Sequence, residues 1–313
     1  MLIVGELKAE KGQKIRGYLT VPGTDVKFPA TLINGVKEGK IAVITGGTHG
    51  GEYPGIEASI RLAKEIMPED VSGGIVITHP VNTPAFFAKL QYYGPHDGKN
   101  LNRMYPGLAT GTVSQKIAYF VTSQMFSKAD LYMDLHGGDI HEDLIPFVIY
   151  PSVGTDAVTK ESIALAKATG IKYICGSASE NGTIGAAAKM GVPGFLGEIG
   201  ASGMWCEQEV KDYTTGVRSA LAYAGILKGE VIEHPEVTML GKMVGSISSF
   251  DGCWYPSIRK GDMIKAGDKI GEVRDFFGEK LEDVYMPSTG VCLFVASSLA
   301  VCKDDPLAAV GTV

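Results

Sequence analysis

From residue 41 onward, short β-branched apolar runs alternate with stretches of helical period, and this alternation restricts the fold more than any other feature of the chain. IAVITGG (41–47) reads as a buried strand stopped by glycines. Beyond it, Pro54 suits the first turn of a helix whose apolar positions recur at Ile56, Ile60, Ala63 and Met67. GIVITHPV (74–81) is a second strand, and LYMDLHGG (131–138), PFVIYP (146–151), YICGS (173–177) and GFLGEIG (194–200) supply others. Helical periodicity covers 113–128, 157–169 and 204–226. Strands alternating with helices predict an α/β fold, a mixed, mostly parallel sheet with helices on both faces. The first 35 residues differ: GYLTVP and FPATLING suggest a leading hairpin on the sheet edge.

After about residue 235 the texture changes to short β segments between glycine turns, with no useful helical period. The expected division is a catalytic domain over 1–234 and a small all-β domain of barrel-sandwich type over 235–313. KGDMIKAGDKIGEV resembles the turn-rich stretch of biotinyl and lipoyl carriers, but the tight hairpin that presents their lysine has no counterpart here. A structural lid or an oligomerisation module is therefore expected, and a homo-oligomer stays open. Trp254 and Tyr255 begin the tail's first strong β segment, where core packing is the simpler role.

Composition narrows the function. A chain of 313 residues with 45% hydrophobic and 20% charged residues is ordinary for a soluble globular protein. A formal charge of −6 argues against a general binder of nucleic acid or membrane surface, which usually carries a basic face. MLIVGELKAEKGQ lacks the pattern of a signal peptide, and no apolar run approaches the roughly 20 residues a spanning helix needs. Five scattered cysteines with no Cys-x-x-Cys pair suit reduced thiols in a cytoplasmic protein, each expected to be buried and structural.

The sharpest local feature is THGGEYPG (48–55), which sets His49 and Glu52 three residues apart between a strand and a helix. Ligand sites of open α/β sheets form at the carboxyl ends of strands, and catalytic zinc commonly takes three protein ligands plus water. DLHGGD (134–139) offers the third, His136, again at a strand end beside glycines. Of the other histidines (His79, His96, His141, His234), His79 is the strongest rival ligand, because it too stands at a strand end. Asn102 and Arg103 lie in the loop GKNLNRMYPG (98–107), where a guanidinium can hold a substrate carboxylate in bidentate fashion. Glu198 falls near the end of an apolar strand, a costly place for a carboxylate and a suitable one for a general base. Asp134, two residues before His136, shares its strand face and is either a partner of that ligand or part of a core polar network.

THGGEYPG, NLNRMYPG, DLHGGD and GFLGEIG, in this order and at these separations, resemble the succinylglutamate desuccinylase/aspartoacylase branch of the zinc carboxypeptidase-like family over roughly residues 35–230. The resemblance implies one zinc ion held by His49, Glu52 and His136, a substrate carboxylate gripped by Asn102 and Arg103, and Glu198 as catalytic carboxylate. It implies a hydrolase that cuts the amide bond of a small, carboxylate-bearing N-acyl amino acid or a related acyl-amine. Two departures stand out. Asn100 replaces the family's usual aspartate, and the upstream arginine thought to stabilise the oxyanion is missing from LQYYGPHDG, which has Gln91, Tyr92 and Tyr93 instead. A tyrosine hydroxyl or Lys99 is the available substitute. The competing readings are a carboxypeptidase acting on peptides, and a non-catalytic scaffold that kept the fold.

Overall fold

The computed structural model describes residues 1–232 and 236–313. His234 and the expected boundary at 234/235 lie outside the described residues. Among the described residues, nine strands form one sheet, in the spatial order Thr238–Met239, Tyr173–Ser177, Phe147–Pro151, Gly194–Glu198, Leu131–His136, Lys37–Gly46, Ser72–Thr78, Lys27–Asn34, Lys14–Thr20. The pairs at its centre are parallel. Gly194–Glu198 runs antiparallel to Phe147–Pro151, and the hairpin Lys14–Thr20/Lys27–Asn34 closes one edge. The sheet is thus mixed and mostly parallel, as the alternation of elements predicts.

The period-2 alternation of a strand sends neighbours to opposite faces, and both faces are covered here. Ile44, Met133, Leu135 and Phe195 pack against Leu62, Leu165 and Val217 of the helices Tyr53–Glu65, Asp156–Ala168 and Glu207–Tyr223. Val43, Tyr132 and Leu196 meet Ile117, Val121, Ile184 and Ala187 of the helices Val113–Gln124 and Thr183–Lys189. The same parity turns Asp134 and His136 toward the second face.

Two details differ from the sequence pattern. The buried arc of the helix Tyr53–Glu65 runs through Ile56, Ser59, Leu62 and Ala63. Ile60 is left at its margin, 40% exposed in a surface groove with Tyr53, Phe86, Phe87 and Trp205, and Met67 lies beyond the helix end. Only Cys175 and Cys292 are buried; Cys253 is half-buried, and Cys206 and Cys302 are exposed. The last two stand where the chain turns: Cys206 caps the helix Glu207–Tyr223, and Cys302 donates its N–H to Asp305.

The tail is two antiparallel sheets, one built on Met243–Ile247, Pro306–Thr312, Gly290–Ala296 and Met263–Ile264, the other on Lys280–Tyr285, Lys269–Arg274, Gly252–Pro256 and Ala300–Val301. Trp254 is buried in its core with Ile270, Val273 and Leu307, whereas Tyr255 is exposed beneath the Arg274 guanidinium. The tail and the main sheet exchange strands. Glu142–Leu144 pairs with Gly290–Ala296 of the tail, while Thr238–Met239 pairs with Tyr173–Ile174 of the main sheet. Leu144, Phe147, Cys175, Leu240, Val291 and Leu293 fill the join. Among the described residues, no helix is long and apolar enough to cross a membrane.

Leu293 is fully buried at that join. Leu293→Ala should cost about 2–5 kcal/mol, the usual range for such a truncation. Because strands are exchanged, circular dichroism and tryptophan emission should still report one coincident urea transition; two separated transitions would show that the join does not couple the parts.

Candidate metal centre

His49 lies in the turn after the strand Lys37–Gly46, and Glu52 is the N-cap of the helix that follows, with Pro54 in its first turn. The turn is tight: a Cβ on Gly50 would lie 2.3 Å from the backbone of Ala85 and Phe86, so no side chain fits there. His136 ends the adjacent parallel strand Leu131–His136. Its carbonyl accepts a hydrogen bond from the Tyr213 hydroxyl, which ties the strand end to the helix Glu207–Tyr223. All three side chains are buried, and their donor atoms lie within 4.8 Å of one another. The Glu52 carboxylate is 2.6 Å from His49 Nδ1 and 2.9 Å from His136 Nδ1, and the two imidazoles meet edge to face.

Hydrogen bonding fixes the protons of both rings. Asn100 Oδ1 accepts the backbone N–H of Asn102, so it is the amide oxygen, and the His49 Nε2 3.1 Å away must donate to it. His136 Nε2 likewise donates to Asp134 Oδ2 at 2.9 Å. In the neutral imidazoles both Nδ1 atoms therefore carry lone pairs, and both face a carboxylate. Among the described residues, no hydrogen-bond partner is assigned to the buried Glu52 Oε2. Two lone pairs and an anion converging on one point repel unless a cation stands between them or the rings are protonated. Against the cost of burial, the charges of Asp134 and Glu52 hold the His136 imidazolium pKa well above its ordinary value, which expresses the same demand for positive charge. The donor set and its orientation fit a metal ion.

Asp134 is fully buried and takes part in both arrangements that the sequence left open. Besides His136 it accepts hydroxyl hydrogen bonds from Thr45 at 2.6 Å, Thr48 at 3.1 Å and Thr183 at 2.6 Å. Burial alone would raise its carboxyl; His136 and the hydroxyls outweigh that and hold it below the usual range.

His49, Glu52, His136, Asn100, Asn102, Arg103 and Glu198 line one cavity of about 400 Å³. Glu198 pairs with His136 across the parallel strands. Burial pushes its carboxyl well up; His136 opposes this, and Glu52, Glu142 and Asp134 add to it. Asn102 accepts the Thr183 N–H through Oδ1, which leaves its Nδ2 for the cavity. Among the described residues no carboxylate lies in ion-pair range of the exposed Arg103, whose Nη1 reaches only the Asn102 carbonyl. His79, the rival ligand, is elsewhere. It bonds Thr31, and burial, aided by Arg16, lowers its pKa to about 4, so it stays neutral.

The succinylglutamate desuccinylase/aspartoacylase catalytic-domain family matches residues 38–224. This chain belongs to that family. The N-alpha-acetyl-L-2,4-diaminobutyric acid deacetylase of Halomonas elongata is 30% identical over 273 residues, 83% of this chain and 79% of that protein. A product-bound structure of the ectoine utilization protein EutE from Ruegeria pomeroyi superposes with a TM-score of 0.90 at 28% identity, covering 100% of this chain and 99% of that one. A succinylglutamate desuccinylase/aspartoacylase structure from Rhodobacter sphaeroides shares the fold, with a TM-score of 0.87 at 23% identity and coverage of 99% and 98%.

Within this family member, sequence reasoning missed Thr183, Glu142 and the role of Asn100. Asn100 stood out only as a departure, yet its amide oxygen is the acceptor that orients His49. Removing such a partner typically weakens metal binding about 10–100-fold. Asn100→Leu should show that loss in a zinc-chelator competition, whereas Asn100→Asp, which keeps the acceptor, should not; equal affinities for all three proteins would exclude the orienting role.

Proposed function

We propose that this protein is a zinc-dependent amidohydrolase that removes the acyl group from a small N-acyl amino acid. The observation that carries the reading is the convergence of His49 Nδ1 and His136 Nδ1 on the Glu52 carboxylate, in the same cavity as Glu198 and Arg103. The named activity of the Halomonas relative supports an N-acylated amino acid as substrate class. Met243, Phe294 and Pro306 of the tail also line the cavity, which favours a small substrate over the peptide chain of a carboxypeptidase.

Zinc bound to His49, Glu52 and His136 would supply a Lewis acid and lower the pKa of a water to about 7. Arg103 clamps the substrate carboxylate through two parallel N–H donors, with Asn102 Nδ2 beside it. That clamp orients the scissile amide toward the histidines. Glu198 takes the proton of the attacking water and delivers it to the departing amine nitrogen. Its raised carboxyl makes it a stronger base than an exposed glutamate.

Tyr92 fills the place of the missing arginine. Of Gln91, Tyr92, Tyr93 and Lys99, only Tyr92 lines the cavity, where its ring meets His49 edge to face. Gln91 Nε2 donates to the Tyr92 oxygen at 2.5 Å, which frees the hydroxyl hydrogen for a developing oxyanion. Burial, with Glu142 and Asp139 nearby, pushes the Tyr92 pKa up, so the hydroxyl keeps that hydrogen.

Glu198→Gln should retain about one zinc per chain by elemental analysis and lower kcat by about 10²–10⁴-fold, the usual contribution of a proton shuttle. Turnover near wild type would remove Glu198 from the role of base. Tyr92→Phe should lower kcat by about 10²–10³-fold with little change in KM, the pattern of a donor used only in the transition state. A rise in KM at unchanged kcat would make Tyr92 a binding residue instead.

A further inference from the structure

We propose that Glu142 is a specificity-determining residue: it receives a positively charged side-chain group of the substrate, so the preferred substrate carries one carboxylate and one ammonium rather than two carboxylates. This rests on the deacylase reading above and adds the second charge to it.

Glu142 opens the strand Glu142–Leu144, held on one side by the tail strand Gly290–Ala296. Its carbonyl also accepts the Ser202 N–H at 2.7 Å, so its backbone is fixed. The next residue, Asp143, has a cation of its own, Lys260 at 2.6 Å. Glu142 lines the cavity instead, and among the described residues no lysine, arginine or histidine lies in ion-pair range of it. Among the described residues, its one side-chain hydrogen bond is a long one, 3.4 Å from the Asp139 N–H to Oε2. A carboxylate in a largely buried setting is costly without a partner. Burial, then the Glu52 charge, pushes its carboxyl up, and an arriving ammonium would relieve both effects.

The charge inventory of the cavity points the same way. Arg103 is the only lysine or arginine among the lining residues, while Glu142 and Glu198 lie outside the candidate metal ligands. A dicarboxylate would find one guanidinium and be repelled by Glu142. An amino acid with an ammonium side chain would find a partner at each end, attractive for the right substrate and repulsive for its acidic analogue.

The test is a matched four-carbon series on the zinc-loaded enzyme: Nα-acetyl-2,4-diaminobutyrate, N-acetyl-2-aminobutyrate and N-acetylaspartate. Wild type should favour the cationic member, and Glu142→Gln should lower kcat/KM on it by about 10–100-fold, the range for a hydrogen bond to a charged group. The neutral member should be almost unaffected, and the acidic one should improve. Equal losses on all three, or no wild-type preference for the cation, would overturn the role of Glu142. If no member is hydrolysed, the deacylase reading fails. Calorimetric binding of free 2,4-diaminobutyrate and 2-aminobutyrate then decides on Glu142 separately. Tighter binding of the diamino acid that disappears in Glu142→Gln supports the subsite, and equal affinities refute it. Unchanged binding of 2-aminobutyrate shows that the variant is folded.

Discussion

The Glu52 carboxylate, facing the Nδ1 atoms of two imidazoles, is the interaction on which the rest of the site depends. Followed outward, its neighbours close a ring. His136 bonds Asp134, Asp134 accepts from the Thr183 hydroxyl, and the Thr183 backbone N–H bonds Asn102. Asn102 donates its N–H to Asn100, which accepts from His49, and His49 returns to Glu52. Each member constrains the next: the Asn102 N–H fixes the Asn100 amide, and the amide fixes the His49 tautomer. A network with every outer member satisfied holds its inner atoms rigidly. The strain falls at the centre, where a cation would resolve it. Thr183 joins the two halves, so the atoms that would hold the metal and the loop that would hold the substrate carboxylate share one frame.

The sheet makes this ring attainable from distant parts of the chain. Parallel neighbours put the carboxyl ends of Lys37–Gly46, Leu131–His136 and Gly194–Glu198 side by side, and each end delivers part of the site. The helix Thr183–Lys189 arrives on the face to which parity turns Asp134 and His136, and its first residue bonds both Asp134 and Asn102. Strand exchange with the tail then brings Met243, Phe294 and Pro306 to the cavity and fixes the backbone of Glu142.

What could be read from the sequence follows from range. Strand runs and the longer helices are local patterns, and they appear where the periodicity puts them. The residues that meet at the cavity were legible because each stands at a strand end or in a glycine-marked turn, where backbone geometry alone narrows the side-chain direction. Thr183 was not legible: GTIGAAAK carries no chemical signal, and its importance arises from contacts 49 and 81 residues away in the chain. Glu142 belongs to a three-residue strand whose partner lies in the tail, and so short a segment has no period to detect. Ile60 shows the limit of periodicity itself. A hydrophobic stripe identifies a helix, but which edge of the stripe meets the sheet is settled by packing.

Asn100 draws these points together. A carboxylate at this position would orient His49 equally well, but it would add a charge to a buried frame that already contains Asp134 and Glu52. With asparagine, those two anions and two neutral imidazoles carry −2, which a divalent zinc ion would balance to zero. In the proposed reading the remaining charges of the cavity would then act on the substrate: Arg103 on a carboxylate, Glu142 on an ammonium, Glu198 on a proton. In the proposed reading, losing the family's aspartate and its upstream arginine are linked changes. The first removes a negative charge from beside the candidate metal ligands and the second a positive charge from the loop above them. Tyr92 then supplies a neutral donor, so the cavity keeps its balance while changing which substrates it suits.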